Sequence, residues 1–232
     1  MEHALVPFLA LRAPSASVAA GHVLALVLAY LLGSIPSGLI IGKVTRGIDI
    51  RYHGSGATGT TNVLRTVGVG PAAAVLVADV AKGVGALLIA RGLTTASPLG
   101  MALAGSLAVA GHNWPLFSRF RGGRGTTVAV GGLAIISPVG AVSGVLAFLP
   151  TVLLSRYVSL GSVVAVLVGM LAVTSLVAAH RLPSEHLLFA YTVGPMVLWR
   201  HRANIRRLLQ GTESRLGRGL SFGGRKPGEK GQ

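Results

Sequence analysis

Long apolar runs, joined by short connectors rich in glycine and basic residues, decide what this chain can fold into. They cover residues 18–42, 71–90, 97–112, 126–136, 139–154, 159–179 and 186–199. Roughly 20 apolar residues in a helix cross a bilayer. The first, second and sixth runs reach that length, and the others are short. A soluble domain carries roughly 25% charged residues; here 12% are charged, 51% are hydrophobic and the mean hydropathy is +0.68. The expected fold is an all-α membrane protein of about seven transmembrane helices. The ambiguous stretch is 126–154, one long helix or two short ones broken at Ser137-Pro138, because the residue before a proline avoids the helical region.

Charge resolves that ambiguity. The net charge is +15. With seven spans and the N-terminus outside, the inner loops hold Lys43, Arg46, Arg51, Arg65, Arg119, Arg121, Arg124 and Arg156. The inner tail adds nine more cations from Arg200 to Lys230. Only Arg12, Arg91 and Arg181 stay outside, and Lys82 lies within the second span. Merging 126–154 into one helix would send the nine-charge tail outside, against the positive-inside rule. The expectation is therefore N-out and C-in, with an extension at 1–17, a helical domain at 18–210 and a basic, disordered tail at 211–232 that touches anionic lipid. Because the cations alternate with apolar runs, they signal orientation rather than nucleic-acid binding. The N-terminus has an acidic residue ahead of its first arginine and makes a poor signal peptide. The chain has no cysteine, which excludes thiol catalysis, cysteine zinc sites and disulfides.

The polar motifs all fall on the inner face of this topology. GSIPSGLIIGK (33–43) ends the first run; Pro36 breaks or kinks it, and Gly38 with Gly42 forms a pair whose plainer role is helix packing. HGSGATGTTNVLR (53–65) brings Gly54, Gly56 and Gly59 together with Ser55, Thr61, Asn62 and Arg65. Glycines let backbone N–H groups approach an anion, and arginine binds phosphate bidentately. The spacing is not that of a nucleotide P-loop. A flexible loop would not call for so many donors beside several arginines, so an anion site is preferred. Asp79 and Lys82 sit at i, i+3 inside a span, and their plainer reading is a structural ion pair. Gly122, Gly123, Arg124 and Gly125 lead into a helix start, again a phosphate-binding arrangement. Trp114 and Tyr157 read as interfacial anchors. His201 and Asn204 share a helix face, and Glu213 follows a helix end at Gly211.

Taken in order, GSIPSG, HGSGATGTTNVLR, ADVAKG, GHNWP with GGRG, RYVSLGS and RHRANIRRLLQGTE resemble the motifs of the bacterial acyl-phosphate-dependent glycerol-3-phosphate acyltransferase family. The match runs from about Tyr30 to Glu213. The resemblance implies a seven-helix enzyme of the bacterial inner membrane with a cytoplasmic active site. Its reaction would transfer a fatty acyl group from acyl phosphate to the sn-1 hydroxyl of glycerol 3-phosphate, giving 1-acylglycerol 3-phosphate for phospholipid assembly. It also implies that Ser55, Arg65, Arg124, His201 and Asn204 line the site, with Ser159 and Glu213 in support. Three departures stand out. Ala57 replaces the family's usual asparagine, Arg124 stands where lysine is commoner, and Ala78 stands where leucine is common before the aspartate.

On these residues, Arg65 and Arg124 are expected to clamp phosphates while the Gly54–Gly59 backbone cradles one of them. Ser55 and Asn204 would orient the acceptor or stabilise the oxyanion. The acyl tail would lie in a groove between helices. The base is either His201 or the leaving phosphate itself, and the second is preferred. No cofactor is expected, and six acids in all do not suggest a divalent metal. No histidine is followed five residues later by aspartate, which excludes the thioester-using His/Asp mechanism. The expected partners are the two substrates, membrane lipid and an acyl-phosphate-forming enzyme that the basic loops would dock. The competing reading is an organic-anion transporter, although such sites tend to lie at the bilayer midplane.

Overall fold

The computed structural model describes residues 15–217. Most of the expected N-terminal extension, and the tail from 218 on, lie outside the described residues. Among the described residues nine helices follow in order: α1 (Ala16–Gly33), α2 (Ser37–Arg46), α3 (Thr60–Thr66), α4 (Val69–Leu93), α5 (Pro98–Asn113), α6 (Thr126–Ile136), α7 (Pro138–Ser155), α8 (Val158–Ala178) and α9 (His186–Leu209). Two 3-10 turns, at Ile50–Tyr52 and Leu116–Ser118, lie in the connectors. No strand occurs among the described residues.

Proline sets two of the breaks. The first apolar run is not one helix: α1 stops at Gly33 and α2 restarts after Pro36. The stretch 126–154 splits where expected. Ser137 leaves the helical region at φ −149° and ψ 88°, and its hydroxyl accepts from the Gly140 N–H to cap α7, with Pro138 at the first helical position. Four segments are long and apolar enough to cross a membrane: α1 continued through α2, α4, α7 and α8. α5 and α6, at 16 and 11 residues, are short.

The core is built of small side chains. Ala25, Ala29, Ala86, Ala102, Ala104 and Ala108 are fully buried among Leu87, Val109 and Phe189. Small residues let helix backbones approach where water supplies no driving force. A Cβ on Gly83 would run into the Val128 carbonyl, and one on Gly131 into that of Val80, so α4 and α6 cross in backbone contact. α1 packs on α4 and α5, α7 packs along α8, and α8 packs on α9. On α7, Val142, Leu146, Leu149, Leu153 and Leu154 stay exposed, as expected of a surface that meets lipid. A smaller cluster of Leu39, Ile50, Val63, Val67 and Val75 supports the connector between α2 and α3.

Candidate active site

The connector 47–59 is held by one side chain. Asn62, buried on the first turns of α3, accepts from the Ser55 N–H through Oδ1 at 2.9 Å. Its Nδ2 donates to the carbonyls of Ile50 (3.2 Å), His53 (3.0 Å) and Ala57 (2.9 Å). The loop must curl tightly to present those groups. Gly54 adopts φ 57°, and a Cβ there would strike Asn62 Oδ1, so glycine is required twice over. Gly38 on α2 lies against the Thr58 carbonyl with no room for a side chain. Upstream, Arg51 forks onto Asp49, with Nη2 to Oδ2 at 2.6 Å, and holds that carboxyl down at a pKa of about 2. Arg51 also reaches the Ser118 carbonyl at 3.3 Å, tying this loop to the next.

Asn62 is thus the loop's staple, where a substrate contact was expected. The backbone cradle expected from Gly54 to Gly59 is also reduced. The Ser55 N–H is engaged by Asn62, and the Gly56 N–H by the His53 carbonyl.

The second loop, 114–125, is held from outside. Arg200 on α9 donates from Nε to the Gly123 carbonyl at 2.8 Å and from Nη2 to the Gly122 carbonyl at 3.1 Å. Its guanidinium lies 5.9 Å from the Trp114 ring centroid. The Gly123 N–H donates to the His112 carbonyl, and side chains at 122 and 123 would collide with His112. These two glycines therefore seat the loop on the end of α5. Gly125, at φ 79°, turns the chain into α6. Sequence reading missed Arg200, which lies in a basic run. Its spacing of four from Asn204 and seven from Arg207 places the three on one helix face, and that periodicity was the available signal.

Between the loops lies a polar cleft of about 560 Å³, counting space open to solvent, lined by Ser55, Gly59, Thr61, Asn62, Arg65, Asp79, Arg124, Gly125 and His201. It continues into an open basic depression that includes Gly54, Gly56, Arg65, Gly122, Arg124, Arg200, Asn204 and Arg207. Arg124 is half-buried and makes no side-chain hydrogen bond among the described residues. Burial, with the nearby Arg207, Arg65 and Arg200, pushes its pKa down to about 10 against the pull of Glu213. It stays charged at neutral pH and is poorly compensated, which favours an incoming phosphate.

His201 is 2% exposed, and its Nδ1 lies 2.8 Å from the Val197 carbonyl. A carbonyl only accepts, so Nδ1 carries the proton and Nε2 keeps a lone pair. Burial drives the imidazole pKa down to about 4, and the Arg124 charge adds to the shift. A neutral histidine with so low a pKa is a weak base.

Glu213 brings the end of the described chain back over the site. Its Oε1 accepts from Ser159 Oγ (2.8 Å) and Asn204 Nδ2 (2.7 Å), and its Oε2 from Arg207 Nε (2.7 Å). Burial alone would raise this carboxyl; the three donors outweigh it and hold it below its ordinary value. Arg65 donates to the neighbouring Ser214 carbonyl at 3.1 Å. Ser159 lies outside both cavities and supports Glu213. Asp79 and Lys82 form a buried ion pair at 2.8 Å, and Lys82 Nζ also donates to the Ile35 carbonyl at the α1–α2 break. Lys82 lies outside the cleft that Asp79 lines.

A second, apolar groove of about 470 Å³, counting the space open at its mouth, runs between α6, α7, α8 and α9, lined by residues such as Val130, Leu133, Ala165, Met170, Phe189 and Val193.

Comparison with known proteins gives a consistent picture. A family model described as Glycerol-3-phosphate acyltransferase matches residues 23–211. A glycerol-3-phosphate acyltransferase of Halalkalibacterium halodurans is 45% identical over 194 residues, covering 82% of this chain and 92% of that protein. One of Shouchella clausii is 43% identical over 191 residues, covering 82% and 93%. The crystal structure of PlsY (YgiH), an integral membrane glycerol 3-phosphate acyltransferase, is similar in its glycerol 3-phosphate form. It has a TM-score of 0.78 and 38% identity, covering 84% of this chain and 96% of that one. Its lysophosphatidic acid form gives 0.76 and 37%, covering 84% and 95%.

Proposed function

The chain belongs to the glycerol-3-phosphate acyltransferase family, and on that premise we propose that it moves a fatty acyl group from acyl phosphate to the sn-1 hydroxyl of glycerol 3-phosphate. It is a multi-pass membrane enzyme of phospholipid synthesis. The observation that carries the reading is the cleft itself. Two arginines from separate elements, Arg65 on α3 and Arg124 in the second loop, meet a serine and a neutral histidine beside an apolar groove. Both substrates are anions, and one carries a long alkyl chain. A cationic chamber next to an apolar slot suits that pair. In this reading seven spans put the cleft on the cytoplasmic side of the bacterial inner membrane, where the basic loops gather.

The chemistry follows from the groups present. Arg124 and Arg65 hold the phosphates and set the acceptor hydroxyl against the acyl carbon, and positioning of this kind supplies several kcal/mol. The hydroxyl oxygen attacks the acyl carbon, and the carbonyl oxygen gains charge. The carbon–oxygen bond to phosphate then breaks. The leaving phosphate takes the hydroxyl proton, so the products are 1-acylglycerol 3-phosphate and phosphate. His201 accepts a hydrogen bond at Nε2 and orients the hydroxyl, since its depressed pKa suits it poorly to taking the proton. Asn204 is positioned by Glu213, with one amide hydrogen committed to that carboxylate. The relatives named above are acyltransferases rather than transporters.

The test is turnover by purified protein with palmitoyl phosphate or palmitoyl-CoA as donor, followed by mass spectrometry of the product. Palmitoyl phosphate should give 1-palmitoylglycerol 3-phosphate, and the thioester should not. The sign of the pH dependence is fixed by His201. Its pKa lies near 4 in the folded protein, so it contributes no titration between pH 5 and 8. A limb near pH 6 would belong to a phosphate group, whose second pKa is about 6. That limb should persist in His201→Asn at reduced rate. Its disappearance in the variant would make histidine the base.

A further inference from the structure

The polar cleft and the apolar groove meet at one residue. Thr126, the first residue of α6, lines both. It carries the single hydroxyl among the groove's lining residues. Its Oγ1 is buried and has no hydrogen-bond partner among the described residues.

Threonines in the middle of the longer helices use their hydroxyls. Thr151, Thr174 and Thr192 donate to the carbonyls of Ala147, Met170 and Leu188, four residues back along the same helix. Thr126 lacks that outlet. Position 122 belongs to the loop, and its carbonyl is taken by Arg200. A buried hydroxyl without a partner is destabilising, and buried polar groups are nearly always paired. Thr60, which opens α3, is unpartnered in the same way, but it faces the polar cleft alone.

An acyl phosphate lying across this boundary has its tail among apolar side chains and its phosphate among arginines. One uncharged polar group falls between them, the acyl carbonyl. We propose that the Thr126 hydroxyl donates to the carbonyl oxygen of the acyl donor and so fixes the reacting carbon at the junction of cleft and groove. This rests on the reading that the donor is acyl phosphate with its tail in the groove between α6 and α9. The contact strengthens as the acceptor oxygen adds and the carbonyl oxygen becomes an oxyanion. It relaxes when the carbon–oxygen bond to phosphate breaks and the carbonyl reforms.

The experiment compares wild type, Thr126→Val and Thr126→Ser in detergent. Steady-state kinetics are run with palmitoyl phosphate and with octanoyl phosphate, and glycerol 3-phosphate binding is followed by calorimetry. Valine keeps the shape and removes the donor; serine keeps the donor. The expected result is a loss of about tenfold in kcat/KM for the acyl donor in Thr126→Val, the effect of one hydrogen bond. The loss should be equal for the two chain lengths, because both have the same carbonyl. Thr126→Ser should stay within about threefold of wild type, and glycerol 3-phosphate affinity should not move. Full activity in Thr126→Val would overturn the proposal while leaving the acyl-phosphate reading intact. A loss confined to palmitoyl phosphate would reduce Thr126 to a wall of the groove. Equal loss of glycerol 3-phosphate binding would mark a structural role, and either result rejects the contact. Wild-type protein inert toward both acyl phosphates, yet active with another donor, would remove the underlying reading and this inference with it.

Discussion

The two loops that border the cleft are held in opposite ways. The first is closed from within: Asn62 gathers four backbone groups between Ile50 and Ala57, all within twelve residues of itself. The second is closed from without, by Arg200, which lies 77 residues from the Gly123 carbonyl it grips. A locally stapled loop is set as soon as its own helix forms. A remotely clamped loop is set only when α9 has docked against α5. The first therefore depends on little else in the fold, while the second ties the position of Arg124 to helix packing. The same guanidinium lies beside the Trp114 ring, so packing and hydrogen bonding act on that loop together.

The largest effect should come from the local staple. Asn62→Ala leaves a part-buried N–H and three carbonyls to find new partners, and should cost about 2–4 kcal/mol at roughly 1 kcal/mol for each group left unpaired. A clear drop in thermal midpoint in detergent, together with loss of glycerol 3-phosphate binding, is expected. A variant that melts like wild type would break the comparison, since the loop would then have another support. The remote clamp should respond differently. Arg200→Lys keeps the charge but cannot fork onto two carbonyls. It should lose about tenfold in kcat/KM, in line with one or two neutral hydrogen bonds, and leave stability nearly unchanged. Kinetic assay beside a melting curve separates the two; a fall in melting temperature as large as that of Asn62→Ala would erase the distinction.

That contrast also explains what could be read in the sequence. The breaks at Pro36 and Ser137-Pro138 were legible because proline acts on its immediate neighbour. The gathering of glycine-rich connectors and arginines around one cleft was legible as composition, and the pairing of Asp79 with Lys82 followed from helical spacing. Roles set by long-range contact were not. Asn62 looked like a ligand because an amide in a glycine-rich loop suits either task. Gly122 and Gly123 looked like anion contacts, whereas close approach to His112 is what excludes side chains there. Arg200 was counted only as an orientation charge. Its partners lie across the bundle, and nothing nearby in the chain names them. The fold of Glu213 back onto Ser159, Asn204 and Arg207 was likewise invisible beyond a family likeness, because a short return after α9 has no periodic signature.

The central claim is that a poorly compensated Arg124, brought by the clamped loop, and Arg65, on the same helix as the Asn62 that staples the other loop, form a single phosphate-binding cleft. Its most direct test is phosphate release from palmitoyl phosphate by wild type, Arg124→Ala and Arg65→Ala, with and without glycerol 3-phosphate. The account predicts release that depends on glycerol 3-phosphate and falls by about 100-fold or more in each variant, as expected when a charge-assisted contact to a reacting phosphate is lost. Release by Arg124→Ala at the wild-type rate, in protein that still binds glycerol 3-phosphate, would contradict it and leave the second loop as an orientation signal.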